Sequence, residues 1–335
     1  MDRTEEDMKL VGFFGIFKQS FKTIFSRNKI FAQITLTLIL PLAIIFLAHM
    51  EISNHFFWRI ENNYLPYDST SRNVSVSDWL YYWLFKILYF TFLTVFSLLS
   101  TAAVVFTIAS VYSDREVVFR QVMKVVPKVW KKLLITFVFI YFALFIYNVT
   151  SGVVLFISRS VFGYSVFGSV ILFIILILYV LGLLYLTVVW QLASVVTVLE
   201  NIRGFNAMKK GKMLANGKKA VGMGIAFVLY VILLGLIIVY QVFVESGDEI
   251  SGLAMIWRVM IGILCCILLM MLFLLFIVTQ TMLYLVCKSH HREAIDKLSL
   301  TTFLSAYTAE TVVYPKPGEE IQLGRRQPQA PAEQV

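Results

Sequence analysis

Charge is scarce in this sequence: Asp, Glu, Lys and Arg fill 15% of its 335 positions, against about 25% in a soluble domain. A chain of this length cannot cover a water-facing surface with so few, so a soluble globule is excluded. Cysteine is scarcer still. Cys265 and Cys266 are adjacent in an apolar run and Cys287 closes that run, a spacing that makes neither a disulfide framework nor a metal site. Of the four histidines, His49 and His55 flank the end of the first apolar run, while His290 and His291 sit in a basic stretch. None has the spacing of metal ligands. A Gly-rich phosphate loop and a nucleophile elbow are missing as well. We therefore expect no cofactor, no metal and no enzymatic activity. Acidic residues number 20 against 29 basic ones, a net charge of +9. The basic residues alternate with apolar runs and do not form one continuous stripe, which argues against nucleic acid and for anionic lipid as the partner.

What the sequence has in excess is apolar residues, 59% of the chain, with 15% aromatic. They fall into runs of roughly 20 to 35, the length that crosses a hydrocarbon layer about 30 Å thick. The expected fold is all-α, a polytopic bundle of about six spans, read as one membrane domain. The spans are Ile30–Met50, within Trp79–Val111, near Leu133–Ile157, within Val166–Leu199, near Val221–Val244 and within Leu253–Cys287. Residues 1–29 precede the domain and 288–335 follow it as a tail that ends in a disordered Pro-, Gln- and Ala-rich stretch. Within the tail, 294–307 reads as one more interfacial helix. Pro41 predicts a kink in the first span. The second, fourth and sixth runs exceed what a bilayer needs, so their helices are expected to tilt or protrude. Trp79, Tyr81, Tyr82 and Trp83 read as an aromatic belt that puts Lys86 near the headgroups, where it snorkels.

All but Arg59, Arg72, Lys86, Arg159 and Arg258 of the 29 Lys and Arg residues lie in four clusters: before the first span, after the second, after the fourth and in the tail. By the positive-inside rule these segments, and both termini, are cytoplasmic. The opposite side then holds the loop from Glu51 to Asp78, where Asn73-Val74-Ser75 is a glycosylation sequon on the side where it can be used. Asn148-Val149-Thr150 lies inside a span and is discounted. The N-terminal stretch carries no cleavable-signal pattern, and the expected location is the endoplasmic reticulum or the plasma membrane.

The basic segments are amphipathic. Leu10, Phe13, Phe14, Phe17, Phe21, Ile24 and Phe25 recur at helical spacing with Lys18, Lys22 and Arg27 off the stripe, which predicts an interfacial helix. Val118, Val122, Val125 and Val129 repeat the design beside Arg120, Lys124, Lys128 and Lys131, with Pro127 expected to split the segment. Phe205, Ala207, Met208 and Leu214 interleave with Lys209, Lys210 and Lys212, and Gly217 is a helix stop. Lys18, Lys22, Lys124, Lys128 and Lys210 are the candidate headgroup contacts. Setting Phe17, Phe119 and Phe205 in register also aligns Lys22, Lys124 and Lys210. This admits a threefold repeat of interfacial helix, span, turn and returning span, although basic amphipathic loops also resemble one another by chance. Polar suspects inside the spans are few: Gln191, Gln241 and Gln280, with Ser97, Ser100 and Thr101. Interhelical hydrogen bonds of about 0.6 kcal/mol each account for such residues. Glu200, at the end of a span before a lysine-rich loop, is expected to form a salt bridge, and Arg258 to snorkel.

The stretch Glu200–Lys218, with Glu200, Gly204, Ala207, Leu214 and Gly217 at its fixed points and Gly211 where Ser is usual, resembles the signature loop of a plant family of uncharacterised polytopic membrane proteins. It is more distantly similar to the membrane domain attached to some bacterial glycerophosphodiester phosphodiesterases. The segment 12–22 and the Pro41 span resemble the plant group too, so the likeness covers most of residues 9–300. It implies architecture and not hydrolysis, because no catalytic domain with a carboxylate and histidine set follows Cys287. The functional expectation is a non-enzymatic multi-pass protein of the secretory pathway that contacts lipid or scaffolds unknown membrane proteins. The alternative is a transporter or channel, which predicts a cavity touching Gln191, Gln241 or Gln280.

Overall fold

The computed structural model describes residues 12–64, 76–113, 118–163, 165–200, 202–246 and 254–291, with the side chains of 54–64 and 76–79 excepted. All regular structure in these residues is helical. A short amphipathic helix α1 (Phe13–Ser26) leads into α2 (Asn28–Ile34), a π-helical turn (Thr35–Ile39) and α3 (Leu40–Tyr64), which run on as one rod. Then follow α4 (Val76–Tyr112), α5 (Phe119–Phe162), α6 (Val166–Leu199), the short α7 (Phe205–Ala215), α8 (Lys219–Tyr240) with a terminal π turn (Gln241–Glu245), and α9 (Met255–His290). Six of these rods are long and apolar enough to cross a membrane, so the chain is a polytopic α-helical bundle. Three times the chain runs through a basic amphipathic segment, a span and a returning span, the order the aligned phenylalanines suggest.

One local expectation gains detail and two change. The ladder widens into a π turn immediately before Pro41. The ring at position 41 cannot donate a hydrogen bond, and an added residue in the preceding turn lets the chain pass it without breaking the rod. Pro127 does not split its segment: α5 is continuous from Phe119 to Phe162. Val122, Val125, Val126 and Val129 are buried on one side of this stretch while Pro127 lies on the exposed side, so packing holds the helix through the proline. The helices also reach well into the Glu51–Asp78 loop, to Tyr64 and from Val76. Asn73, the 294–307 segment and the tail lie outside the described residues.

Burial explains the long even-numbered runs. The final halves of α4, α6 and α9 are enclosed on all sides, with Ala102–Ala109, Leu192–Leu199 and Val278–Cys287 forming the core. These are the halves that meet α1, the first part of α5 and α7, so protein covers them where lipid covers the rest. A lipid-facing stripe and an enclosed core both select apolar residues, and a run longer than the bilayer results. On α1 the bundle takes Ile16, Ser20 and Thr23, leaving Phe14, Phe21 and Phe25 exposed beside Lys18 and Lys22. At the opposite end of the bundle, Arg258 donates to the carbonyls of Val244 and Glu245, at 2.9 and 3.4 Å. It thereby satisfies acceptors that the end of the π turn leaves open.

Candidate functional site: a cavity where the six spans converge

All six spans line one cavity of about 240 Å³. Helical spacing places its walls. Thr94, Ser97 and Thr101 recur at three and four residues on α4, Phe137 and Tyr141 at four on α5, and Thr187, Gln191 and Ser194 at four and three on α6. Leu42 and Phe46 enter from α3, Tyr230 from α8 and Phe276 and Gln280 from α9. Aromatic edges close the frame: Phe137 meets Trp190 at 5.6 Å and 90°, Tyr141 lies 5.9 Å from Trp190, and Tyr230 lies 5.9 Å from Phe276. None of the lining residues is charged.

The polar groups of this wall differ in how well they are satisfied. Thr187 donates back to the Leu183 carbonyl at 2.9 Å and Ser194 to the Gln191 carbonyl at 2.8 Å, so these hydroxyls are spent within their own helix. The Gln191 side chain is 3% exposed and its Nε2 has no hydrogen-bond partner. Leaving a buried donor unmade costs about 1–3 kcal/mol, and this amide can donate to an acceptor placed in the cavity. Gln280, from the facing helix, is also buried at the cavity. Gln241 is not part of it; that residue opens the π turn at the other end of α8. A larger hollow of about 400 Å³ between α6 and α8 is walled by Leu176, Ile177, Leu181, Met223 and Phe227. With no polar side chain to orient a ligand, it is ordinary lipid-facing surface, and we take the smaller cavity as the site.

One turn beyond the cavity, toward the loops, the basic ends are clasped by Glu200. Its carboxylate accepts from Tyr284 Oη at 2.6 Å and Lys288 Nζ at 2.9 Å and pairs with Lys210 Nζ at 2.5 Å, joining the end of α6 to α7 and α9. Burial pushes the carboxyl upward, but the hydrogen bonds from Lys210, Tyr284 and Lys288 outweigh it and hold Glu200 below its ordinary value. The expected salt bridge is present, and its second lysine comes from a span far along the chain.

The remaining points of the Glu200–Lys218 stretch are structural as well. Gly204 has φ +65° and donates its N–H to Thr136 Oγ1 at 2.9 Å, which itself bonds Thr197 at 2.9 Å. A Cβ there would meet Phe139 at 3.2 Å in a backbone conformation that side chains avoid. Ala207 and Leu214 are fully buried on the inner face of α7, and a Cβ on Gly211 would lie 2.9 Å from the Ala193 N and Val189 O of α6. Gly217, φ +108°, ends the turn beside His290. Of the candidate headgroup contacts, Lys18, Lys22, Lys124 and Lys128 are exposed, whereas Lys210 is half-buried against Glu200. Among the described residues no group of three or more His, Cys, Asp or Glu side chains could hold a metal ion.

These features define a polytopic α-helical membrane protein with a largely apolar, uncharged cavity where its six spans meet, into which a few polar side chains reach. The chain belongs to the family described as Domain of unknown function (DUF8558), whose model matches residues 1–325. No curated protein and no solved structure matches the chain.

Proposed function

We propose that this is a non-enzymatic membrane protein that binds, and passes between the two sides, a small uncharged solute carrying a hydrogen-bond acceptor. The observation that carries the reading is the buried Gln191 amide, unpartnered at a cavity to which every span contributes. Size sets the class. A cavity of about 150 Å³ holds benzene, so 240 Å³ accommodates a molecule modestly larger. The uncharged lining disfavours ions, whose desolvation it cannot repay. In this reading both termini are cytoplasmic and the membrane is that of the endoplasmic reticulum or the cell surface. In this reading the chain shares a scaffold, without hydrolysis, with the plant proteins and the phosphodiesterase-linked membrane domain that Glu200–Lys218 resembles.

Trp190 at the cavity wall supplies the test. In a variant whose other tryptophans are replaced by Phe, reconstituted in liposomes, acrylamide, an uncharged amide with a carbonyl acceptor, quenches Trp190 fluorescence and iodide does not. Gln191→Leu reduces the acrylamide effect. Protection of Trp190 from both quenchers refutes the reading.

A second reading, lipid contact at the basic face, rests on the exposed Phe14, Phe21 and Phe25 beside Lys18 and Lys22. Its check is flotation with liposomes that do or do not contain anionic lipid. Replacing Lys18, Lys22 and Lys124 with Gln lowers recovery only with the anionic ones; unchanged recovery discards it.

A further inference from the structure

Lys86 lies inside the second span, yet among the described residues it has no ion-pair partner. Its ammonium donates to Ser53 Oγ at 2.8 Å and shares a 2.8 Å hydrogen bond with His49 Nε2, while the Tyr82 ring lies 5.3 Å away. His49 is held in place by stacking on Tyr89, with ring centroids 3.6 Å apart. An imidazole and a hydroxyl can accept from the ammonium, but neither cancels its charge. Glu51 is two residues from His49, and two residues turn a helix by about 200°. That carboxylate therefore sits on the other face of α3, exposed, where its field reaches Tyr240. A cation within the hydrocarbon layer is costly, by up to the roughly 2.5–3.5 kcal/mol that insertion scales give for the centre of a span, and no residue described here cancels its charge.

The position of Lys86 on α4 indicates the missing partner. Tyr82, Phe85 and Tyr89 lie on one side of it, where His49 stacks near both Phe85 and Tyr89. Trp83, Ile87 and Phe90 lie on the other side and are 57%, 63% and 46% exposed. The ammonium therefore sits at a seam between bundle and lipid, about one turn inside the exposed Tyr81 and Trp83 that mark headgroup depth. We propose that Lys86, with Ser53 and His49 orienting it, binds the phosphodiester of one acidic phospholipid in the leaflet opposite the basic face. An acyl chain of that lipid runs along Trp83, Ile87 and Phe90. An acidic lipid is favoured because a zwitterionic headgroup carries its own cation and leaves the charge of Lys86 uncancelled.

The test counts bound lipid. Full-length chain from nanodiscs of phosphatidylcholine containing a minor fraction of phosphatidylglycerol is transferred to mild detergent, and retained lipids are resolved by native mass spectrometry. Wild type retains a phosphatidylglycerol that Lys86→Gln binds roughly tenfold more weakly, a difference of about 1.4 kcal/mol, while Lys86→Arg keeps it. Millimolar inorganic phosphate does not displace it. Equal retention in wild type and Lys86→Gln overturns the proposal, and displacement by phosphate overturns the lipid in favour of a free anion. Should Lys86→Gln fail to fold, Ser53→Ala, which leaves the charge in place, decides: weakened retention supports the site and unchanged retention overturns it.

Discussion

Replacing Glu200 with Gln removes one negative charge from between two ammonium groups and keeps an acceptor for Tyr284. Lys210 and Lys288, only 24% and 19% exposed in their side chains, then both lose the carboxylate they share. Breaking a buried pair costs about 3–5 kcal/mol, and partial exposure puts this one near the lower bound, about 3 kcal/mol or roughly a hundredfold in the folding equilibrium. The assay is unfolding in mixed micelles of rising denaturing-detergent fraction, followed by size exclusion. Lys288→Met added to Glu200→Gln restores part of the loss, because it removes a half-buried charge that has lost its carboxylate. The pH dependence carries a definite sign. The folded carboxyl titrates below its ordinary value of 4.5, so its stabilisation is present above pH 4.5 and is lost as pH falls through the lower folded value. Wild type therefore loses stability in that acid window, and Glu200→Gln lacks this component of the loss. A Glu200→Gln protein as stable as wild type at neutral pH, with the same acid profile, refutes the clasp.

Further expectations concern α7 and the cavity. Gly211→Ala gains about 1 kcal/mol of helix propensity but sets a methyl 2.9 Å from α6 backbone atoms that cannot swing away. Overpacking of about 1–3 kcal/mol wins, and the same unfolding assay reads a net loss. Gly204→Ala, strained by φ +65° and crowded by Phe139, is destabilised by about 1–2 kcal/mol, and Thr136→Val adds little on top because both changes act on the Thr136–Gly204 bond. Gln191→Leu removes an unsatisfied donor and raises stability by about 1 kcal/mol while lowering acrylamide access to Trp190. If it destabilises the chain instead, the amide was not an unpaired group.

The six spans were legible as apolar runs, because crossing hydrocarbon leaves a simple length signature. The ends were less so: beyond Met50 the chain mixes aromatic, polar and charged residues through Asn62, and a helix that leaves the membrane no longer needs apolar character. Gln191 and Gln280 stood out as polar residues within spans. That they share a cavity with Tyr141 and Tyr230 was not visible, since periodicity assigns a face to a helix but not the neighbour that face meets. The same limit separates Lys210 from Lys288. The first lies in the loop directly after Glu200, whereas the second arrives 88 residues later. Pro127 misled because a proline's local preference was weighed without the valines opposite it. For Lys86, the partners Ser53 and His49 supplied by α3 could not be inferred.

Because Pro127 leaves α5 unbroken, a single stiff shaft of 44 residues, about 66 Å at helical rise, extends from Arg120 to the far end of its span. The exposed basic turns at its start and the rings of Phe137 and Tyr141 at the cavity ride on the same continuous helix. Torque applied to the outer lysines by a docked surface would pass along this one helix toward those rings. A grip on the outside of this protein is, mechanically, a grip on its interior.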